Sequence, residues 1–411
     1  MRAALFFAVA SVLLIVSHGS CAGDEVVPDE FGRIAKLPPG ARDHWVWVSD
    51  RPLRHNLLFD GDSGRALGTL DVATSLSGRL PLTSRELNEF YVVESVYSRG
   101  HRGTRMDIVT IYDADALTVK GEVEIPPYTA ETGGNVALTA MLDGGRFLVV
   151  FNQRPQSVTV VDMKLRRVVG AVDVAGCACV YPTGELSFAM LCGDGTALQV
   201  LLDADGREKS VHRSEQFFDV VADPLTEKGV RSGKRWLFAS FEGYLHDVDF
   251  SAAAPKLADR WSLFTDAERA EKWRIGGVQH LALHAKTGEL YSIVHQGGPG
   301  THKDPGVDIW VYDLARRVRV RTVKAPGLTL AFMRPLLGID RGSMTFRALA
   351  YLESVFGGPG VHTVVVTQDD QPLLFVRNTD VGAVGVLDAR TGETLREIEE
   401  VGISGANMAV P

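Results

Sequence analysis

The sequence is poor in cysteine, has no surplus of basic charge, and has no long apolar run beyond Val16. Four cysteines in 411 residues exclude a small disulfide-dense scaffold. Lys and Arg number 43 against 51 Asp and Glu, a formal net charge of −8. That balance argues against a nucleic-acid binder, whose electrostatic footprint is a basic face. After Val16 no segment is long and apolar enough to span a bilayer. A Gly-x-Ser-x-Gly elbow, a Walker loop and a dinucleotide fingerprint behind a strand are also missing.

What is present suits a turn-rich all-β protein: 42 glycines, with 45% hydrophobic and 23% charged residues. The N-terminus, MRAALFFAVASVLLIVSHGSCAGDE, has a basic Arg2, an apolar stretch from Ala3 to Val16 and a small-x-small site at Ser20-Cys21-Ala22. This pattern predicts a signal peptide over residues 1–22, cleaved after Ala22, and export to the periplasm. Lipidation at Cys21 is the competing reading, and His18 stands where a lipobox wants an aliphatic residue. Residues 23–44 read as an N-terminal extension.

Three cysteines remain after cleavage. Cys177, Cys179 and Cys192 lie on two strand-like runs around Pro182-Thr183-Gly184. A Cys177–Cys192 bridge across that hairpin suits an oxidising compartment. Side chains two apart share a strand face, so Cys179 is expected beside Cys177, as a spare thiol or the alternative partner of Cys192. A zinc site would need four ligands at characteristic spacing, which Cys-x-Cys and one distant Cys do not supply.

One unit recurs. Apolar residues run into an Asp, a turn follows, and a second strand leads away, as in DIWVYDLARRVRVRTVK at Asp313. The same pattern recurs at Asp60, Asp113, Asp162, Asp203, Asp249 and Asp388, with spacings of 53, 49, 41, 46, 64 and 75. Periods of that length built from short strands predict an all-β fold, a seven-bladed β-propeller of four-stranded antiparallel blades over residues 45–411. Each Asp carboxylate is expected to accept hydrogen bonds from turn amides two residues on, a turn role rather than a catalytic one.

The two longest spacings hold insertions, so one or two short inserted helices are expected. Thr265 and Glu268 form a capping box ahead of Gly276. In the segment around 332–360, Leu349, Leu352 and Val355/Phe356 fall at helical spacing before Gly357-Gly358. That stripe predicts packing on its own domain, with a partner contact as the rival reading.

Two clusters stand out as candidate functional residues. SRGHRGTR places Arg99, His101, Arg102 and Arg105 in one loop, which reads as a solvated loop or as a docking surface for an anionic partner. His280, His284, His295 and His302 gather between Gln279 and Lys303, with His280 and His284 expected on one strand face. Metal ligation needs convergent ligands and a supporting shell, and only the clustering suggests it.

The stretches SRGHRGTRMDIVTIYDADALT, LFTDAERAEKWRIGGVQHLALHAKTGELYSIVHQ, GTHKDPGVDIWVYD and TQDDQPLLF…VLDARTGETL also resemble the heavy subunit of quinoprotein amine dehydrogenases, of the methylamine and aromatic amine types. The most specific part runs from Trp273 through Gly276-Gly277 and Gln279 to His284 and His302-Lys303. The resemblance implies a seven-bladed propeller and a Cys177–Cys192 bridge, with Cys179 extra to the pattern. It implies a heterotetramer of two heavy and two light subunits. The light subunit carries tryptophan tryptophylquinone, made from its own tryptophans. Primary amines are oxidised to aldehyde and ammonia, and electrons pass to a blue-copper protein. On this resemblance the chain binds no cofactor or metal and supplies no catalytic residue. Arg99, His101, Arg102, Arg105, Trp273, Gln279, His284, His302 and Lys303 become partner or channel candidates.

Two departures bear on function. Only RPLRHNLLF separates Asp50 from Asp60, where the family brings a longer loop and an aromatic residue to the substrate channel, and the segment near 332–360 is inserted. The competing readings are a non-redox propeller that binds a partner or ligand, and a free-standing enzyme with a metal or ligand in its central channel.

Overall fold

Seven carboxylates organise the chain. In the computed structural model, which describes residues 36–411 apart from 73–78, 101, 132–135, 341, 357 and 406, each repeat Asp accepts a turn amide. Asp113 Oδ1 takes the N–H groups of Asp115 (2.9 Å) and Ala116 (3.0 Å). Asp162 does the same with Lys164 and Leu165, and Asp388 with Arg390 and Thr391. Asp60, Asp203 and Asp249 each accept from the amide two residues on, and Asp313 from Arg316 three residues on. In six blades the pairing to the outer strand slips by one residue just before this Asp, as between Ile111 and Tyr112 or Val386 and Leu387. Such a bulge sharpens the local twist and sets the hairpin.

The strands form seven antiparallel sheets, each the blade of a propeller with four strand positions. The innermost strands are Leu82–Ser84, Thr139–Met141, Cys177–Gly184, Val230–Ser232, Leu281–His284, Thr363–Val366 and Met408–Ala409, all short except Cys177–Gly184. Two blades have a divided strand. Lys256–Leu257 and Trp261–Ser262 share one outer position, and Trp273–Ile275 and Leu281–His284 share one inner position. The first blade is built from both chain ends, because Met408–Ala409 pairs with Trp45–Asp50 through Trp47–Ala409 and Val48–Met408.

Among the described residues the buried apolar side chains form seven clusters, each drawn from two neighbouring blades. The apolar face of a sheet must be covered, and here each blade covers the next round the ring. Polar seams reinforce the contact. Glu89 accepts from Tyr91 (2.7 Å) and pairs with Arg166 of the following blade (2.6 Å). Tyr291 repeats the device, donating to Glu289 and to Ala389 O of the next blade, both at 3.0 Å.

The helices follow local signals. Helix α1 (Asp266–Ala270) carries both halves of the Thr265–Glu268 capping box. The second insertion holds two helices, α2 (Thr329–Leu337) and α3 (Met344–Phe356), where the sequence pattern marks only the latter.

Cys177 and Cys192 form a disulfide and are direct cross-strand partners. The hairpin turns at Glu185-Leu186, not at Pro182-Thr183-Gly184. Cys179 does not share the face of Cys177. The register breaks after Ala178, and Cys179 takes a left-handed backbone (φ 65°). It therefore packs toward the following blade, with Tyr181 and Phe238, while Cys177 packs toward the preceding one.

Candidate functional site: the loop-bearing face and channel mouth

Antiparallel strands alternate in direction, so each blade sends its second-to-third turn and its exit to the next blade toward one end of the ring. The Asp hairpins and the first-to-second turns go to the other end. The loop-bearing end thus collects the basic loop 98–105, both insertions, the disulfide and the segment 297–307.

The basic loop divides into two roles. Arg99 and Arg102 are exposed, and the loop is closed by Arg99 N–H donating to Arg102 O (3.0 Å). Arg105 turns inward. It makes a two-pronged bond to buried Asp107 (2.7 and 2.8 Å) and donates to Thr129 O (2.8 Å). Burial opposes the Asp107 charge, yet Arg105 and Thr129 hold its carboxyl below the usual range. His101 lies outside the described residues.

The segment from Trp273 to His284 crosses the whole sheet. Trp273 packs on Trp310 with ring centres 4.9 Å apart. Gly277 (φ +93°) donates to Asp304 O at 2.7 Å, and a Cβ there would stand 2.5 Å from His362 O. Gln279 grips the closing strand, with Nε2 donating to Met408 O (3.0 Å) and Oε1 accepting from Met408 N–H (3.2 Å). His302 stacks on Phe241 at 3.7 Å, and Lys303 beside it is exposed. His284 lies at the opposite end, bonded to Thr287 Oγ1 (2.8 Å) and Asp369 O (3.0 Å). Arg99, Arg102, Arg105, Trp273, Gln279, His302 and Lys303 therefore share one end of the ring, and His284 does not.

The histidines do not converge. His280 meets Thr226 Oγ1 at 2.9 Å, toward the preceding blade, so it does not share surroundings with His284. His295 meets Thr301 Oγ1 at 2.9 Å. Burial pushes His280 down to about 3 and lowers His295 and His302, which favours neutral rings, and His280 and His295 serve as hydrogen-bonding groups. No group of three or more His, Cys, Asp or Glu among the described residues is placed to hold a metal.

Inside the ring of inner strands lies a cavity of about 380 Å³. Its walls are mainly aliphatic, with Leu80, Leu82, Leu281, Leu283 and Val364 among them, and Thr139, Arg231, Trp236 and Gln368 also line it. Arg79, Lys228 and Gln279, each just ahead of an inner strand, line its loop-bearing mouth. Arg79 and Lys228 carry no motif. They read as loop residues, and only ring closure makes them neighbours of one space.

The comparisons with known proteins follow the same lines. The model of the methylamine dehydrogenase heavy chain family matches residues 49–325. The methylamine dehydrogenase heavy chain of Methylorubrum extorquens is 25% identical over 415 aligned positions, covering 96% of this chain and 92% of that one. The heavy chain of Methylophilus methylotrophus is also 25% identical, covering 84% and 76%. Among solved structures, dihydro-heme d1 dehydrogenase NirN superposes with a TM-score of 0.54 at 15% identity, covering 93% of this chain and 78% of that one, a likeness of fold alone. The family match ends four residues before α2, so both helices of the second insertion lie beyond it. With the ring of seven blades and the match over two-thirds of its length, the chain belongs to the methylamine dehydrogenase heavy chain family.

Proposed function

We propose that this chain is the heavy subunit of a periplasmic amine dehydrogenase that converts primary amines to aldehyde and ammonia. The observation that carries the reading is the family match over residues 49–325. In this reading the redox group, tryptophan tryptophylquinone, resides on a light subunit, in an assembly of two heavy and two light chains. Electrons leave to a blue-copper protein. The heavy chain contributes a docking surface and part of the substrate route, and none of its residues performs the proton transfer.

The loop-bearing face is the surface we assign to the light subunit. Support comes from the exposed Arg99 and Arg102 and from the Trp273, His302 and Lys303 group at that end. His284, at the other end, is then a structural residue. Gln279 holds the closing strand, and Arg105 supports the basic loop from inside.

A second reading is a propeller that binds a partner or ligand without redox chemistry. It is favoured by the four-residue turn Arg51–Arg54, which carries no extended arm toward a substrate channel. One experiment separates the two. The chain is purified without denaturant from its native source, and the visible spectrum is recorded before and after a primary amine is added. A small co-purifying subunit whose absorption band bleaches with amine supports the dehydrogenase. A colourless, solitary chain overturns it.

A further inference from the structure

The first blade takes its inner strand from the far end of the chain. Met408–Ala409 meets Trp45–Asp50 through two residue pairs, where every other blade has at least three. The residues ahead of Met408 lie along that strand as a strap. Arg51 N–H donates to Ser404 O (3.0 Å), Ser49 N–H to Asn407 O (3.1 Å) and Ile403 N–H to Asp50 Oδ2 (3.1 Å). Glycine permits the approach, because a Cβ at Gly402 or Gly405 would run into Asp50 or Ser49. The strap has a fixed root. Val401 is fully buried, its O accepts from Arg377 (3.0 Å), and its N–H donates to Gly382 O (3.2 Å). Gly402 follows at φ 90°, in backbone that glycine adopts freely.

A side chain from elsewhere holds the far end. Gln279 belongs to the sixth blade, and the last blade clamps its backbone. Its N–H donates to His362 O and its O accepts from Val364 N–H, both at 2.9 Å. From that mount the side-chain amide takes both the N–H and the O of Met408. One side chain thus stands in for a neighbouring strand on the edge of Met408–Ala409 that Trp45–Asp50 leaves free. Gln279, Met408, Ala409 and Val410 all line the central cavity, so the link that shuts the ring is also part of the cavity wall. A two-pair ladder and one side-chain pin place this segment at the low end of local stability, below the central strands.

We propose that residues 402–410 form a gate strap of the central channel, hinged beside Val401 and pinned by Gln279, which opens as a unit while the other strands stay paired. Its release removes one wall of the cavity. Ring closure and channel gating are then a single joint, and Gln279 is the positioning residue that holds it shut. The strap belongs to this chain alone and does not depend on the amine reading.

The test is amide hydrogen exchange on the purified full chain, read at the Ser49, Arg51 and Met408 amides and corrected for intrinsic rates. Phe147–Asn152, a strand paired on both sides in the third blade, is the internal reference. The strap amides are expected to exchange at least about a hundredfold faster than the reference, through local opening. Gln279→Leu keeps apolar bulk and loses both bonds to Met408, so it should speed the strap about tenfold and leave the reference unchanged. Gln279→Glu should be conditional. At pH 7 its carboxylate faces Met408 O and the strap exchanges faster. Below about pH 4 the protonated acid again offers one donor and one acceptor, and wild-type protection should return. That reversal within one variant carries the test if Gln279→Leu does not fold. Strap amides as slow as the reference in the wild type overturn the proposal. So does a strap unaltered by both substitutions, or one that moves only together with the reference.

Discussion

His44 Nε2 lies 3.2 Å from Asp369 Oδ1, while its Nδ1 lies 2.8 Å from Asp62 Oδ1, so one imidazole joins the first blade to the last. Burial works against its charge, but the two carboxylates prevail and raise it above 6.5. A raised folded value means the stabilisation is complete below the unfolded value of 6.5 and is lost as pH rises through the folded one. The lowered His246, His280, His295, His302 and His362 act with the opposite sign, their contribution fading as pH falls below 6.5. The informative quantity is therefore the stability difference between wild type and His44→Ala. It is expected to shrink from pH 6 upward in urea denaturation, and a difference independent of pH would remove His44 as a charged clasp.

The basic loop gives a pair of variants with divergent outcomes. Arg105→Ala strands buried Asp107 and is expected to cost about 2–3 kcal/mol in chemical denaturation. The double variant Arg99→Ala, Arg102→Ala changes exposed side chains and is expected to stay within about 0.5 kcal/mol of wild type. It should nevertheless lose retention of the light subunit in a pull-down. Equal retention would refute the docking role.

Reduction of the Cys177–Cys192 bridge releases a 15-residue separation. The expected loss is about 3 kcal/mol. Unfolding midpoints with and without reductant measure it, and Cys192→Ser should abolish the reductant effect.

Arg317 is exposed, sits at φ 55° four residues beyond Asp313, and occupies the position that Gly64 (φ 75°) and Gly392 (φ 78°) hold in other blades. Left-handed backbone costs a residue with a Cβ roughly 1–2 kcal/mol, partly offset by the greater unfolded freedom of glycine. Arg317→Gly is expected to stabilise by about 0.5–1 kcal/mol. A lower melting temperature would contradict this account of the turn.

The blade repeat was legible because the Asp turn is local chemistry: the carboxylate and the amides it binds lie within four residues. Helix α1 was legible for the same reason, through Thr265 and Glu268. Helix α2 was not. Its N-cap is Leu328, with no side-chain cap, and Pro335 sits inside it. Cys179 was misplaced because strict alternation assumes an unbroken strand, and the bulge after Ala178 reverses the faces beyond it. The candidate site was only partly readable. Gln279 and His284 are five residues apart in sequence, yet an inner strand carries them from the channel to the far end of the ring. Arg79 and Lys228 meet one cavity only through closure.

That closure has a temporal consequence. The ladder that shuts the ring is two residue pairs long and uses Met408 and Ala409 against Trp47 and Val48. Until those two residues are in place, the first blade lacks its inner strand and presents an unpaired edge, the kind of edge that recruits other chains. Up to that moment the polypeptide is an open array with an unpaired end. The propeller therefore cannot finish folding from its N-terminus forward. It is sealed by a segment that follows every other strand in the chain.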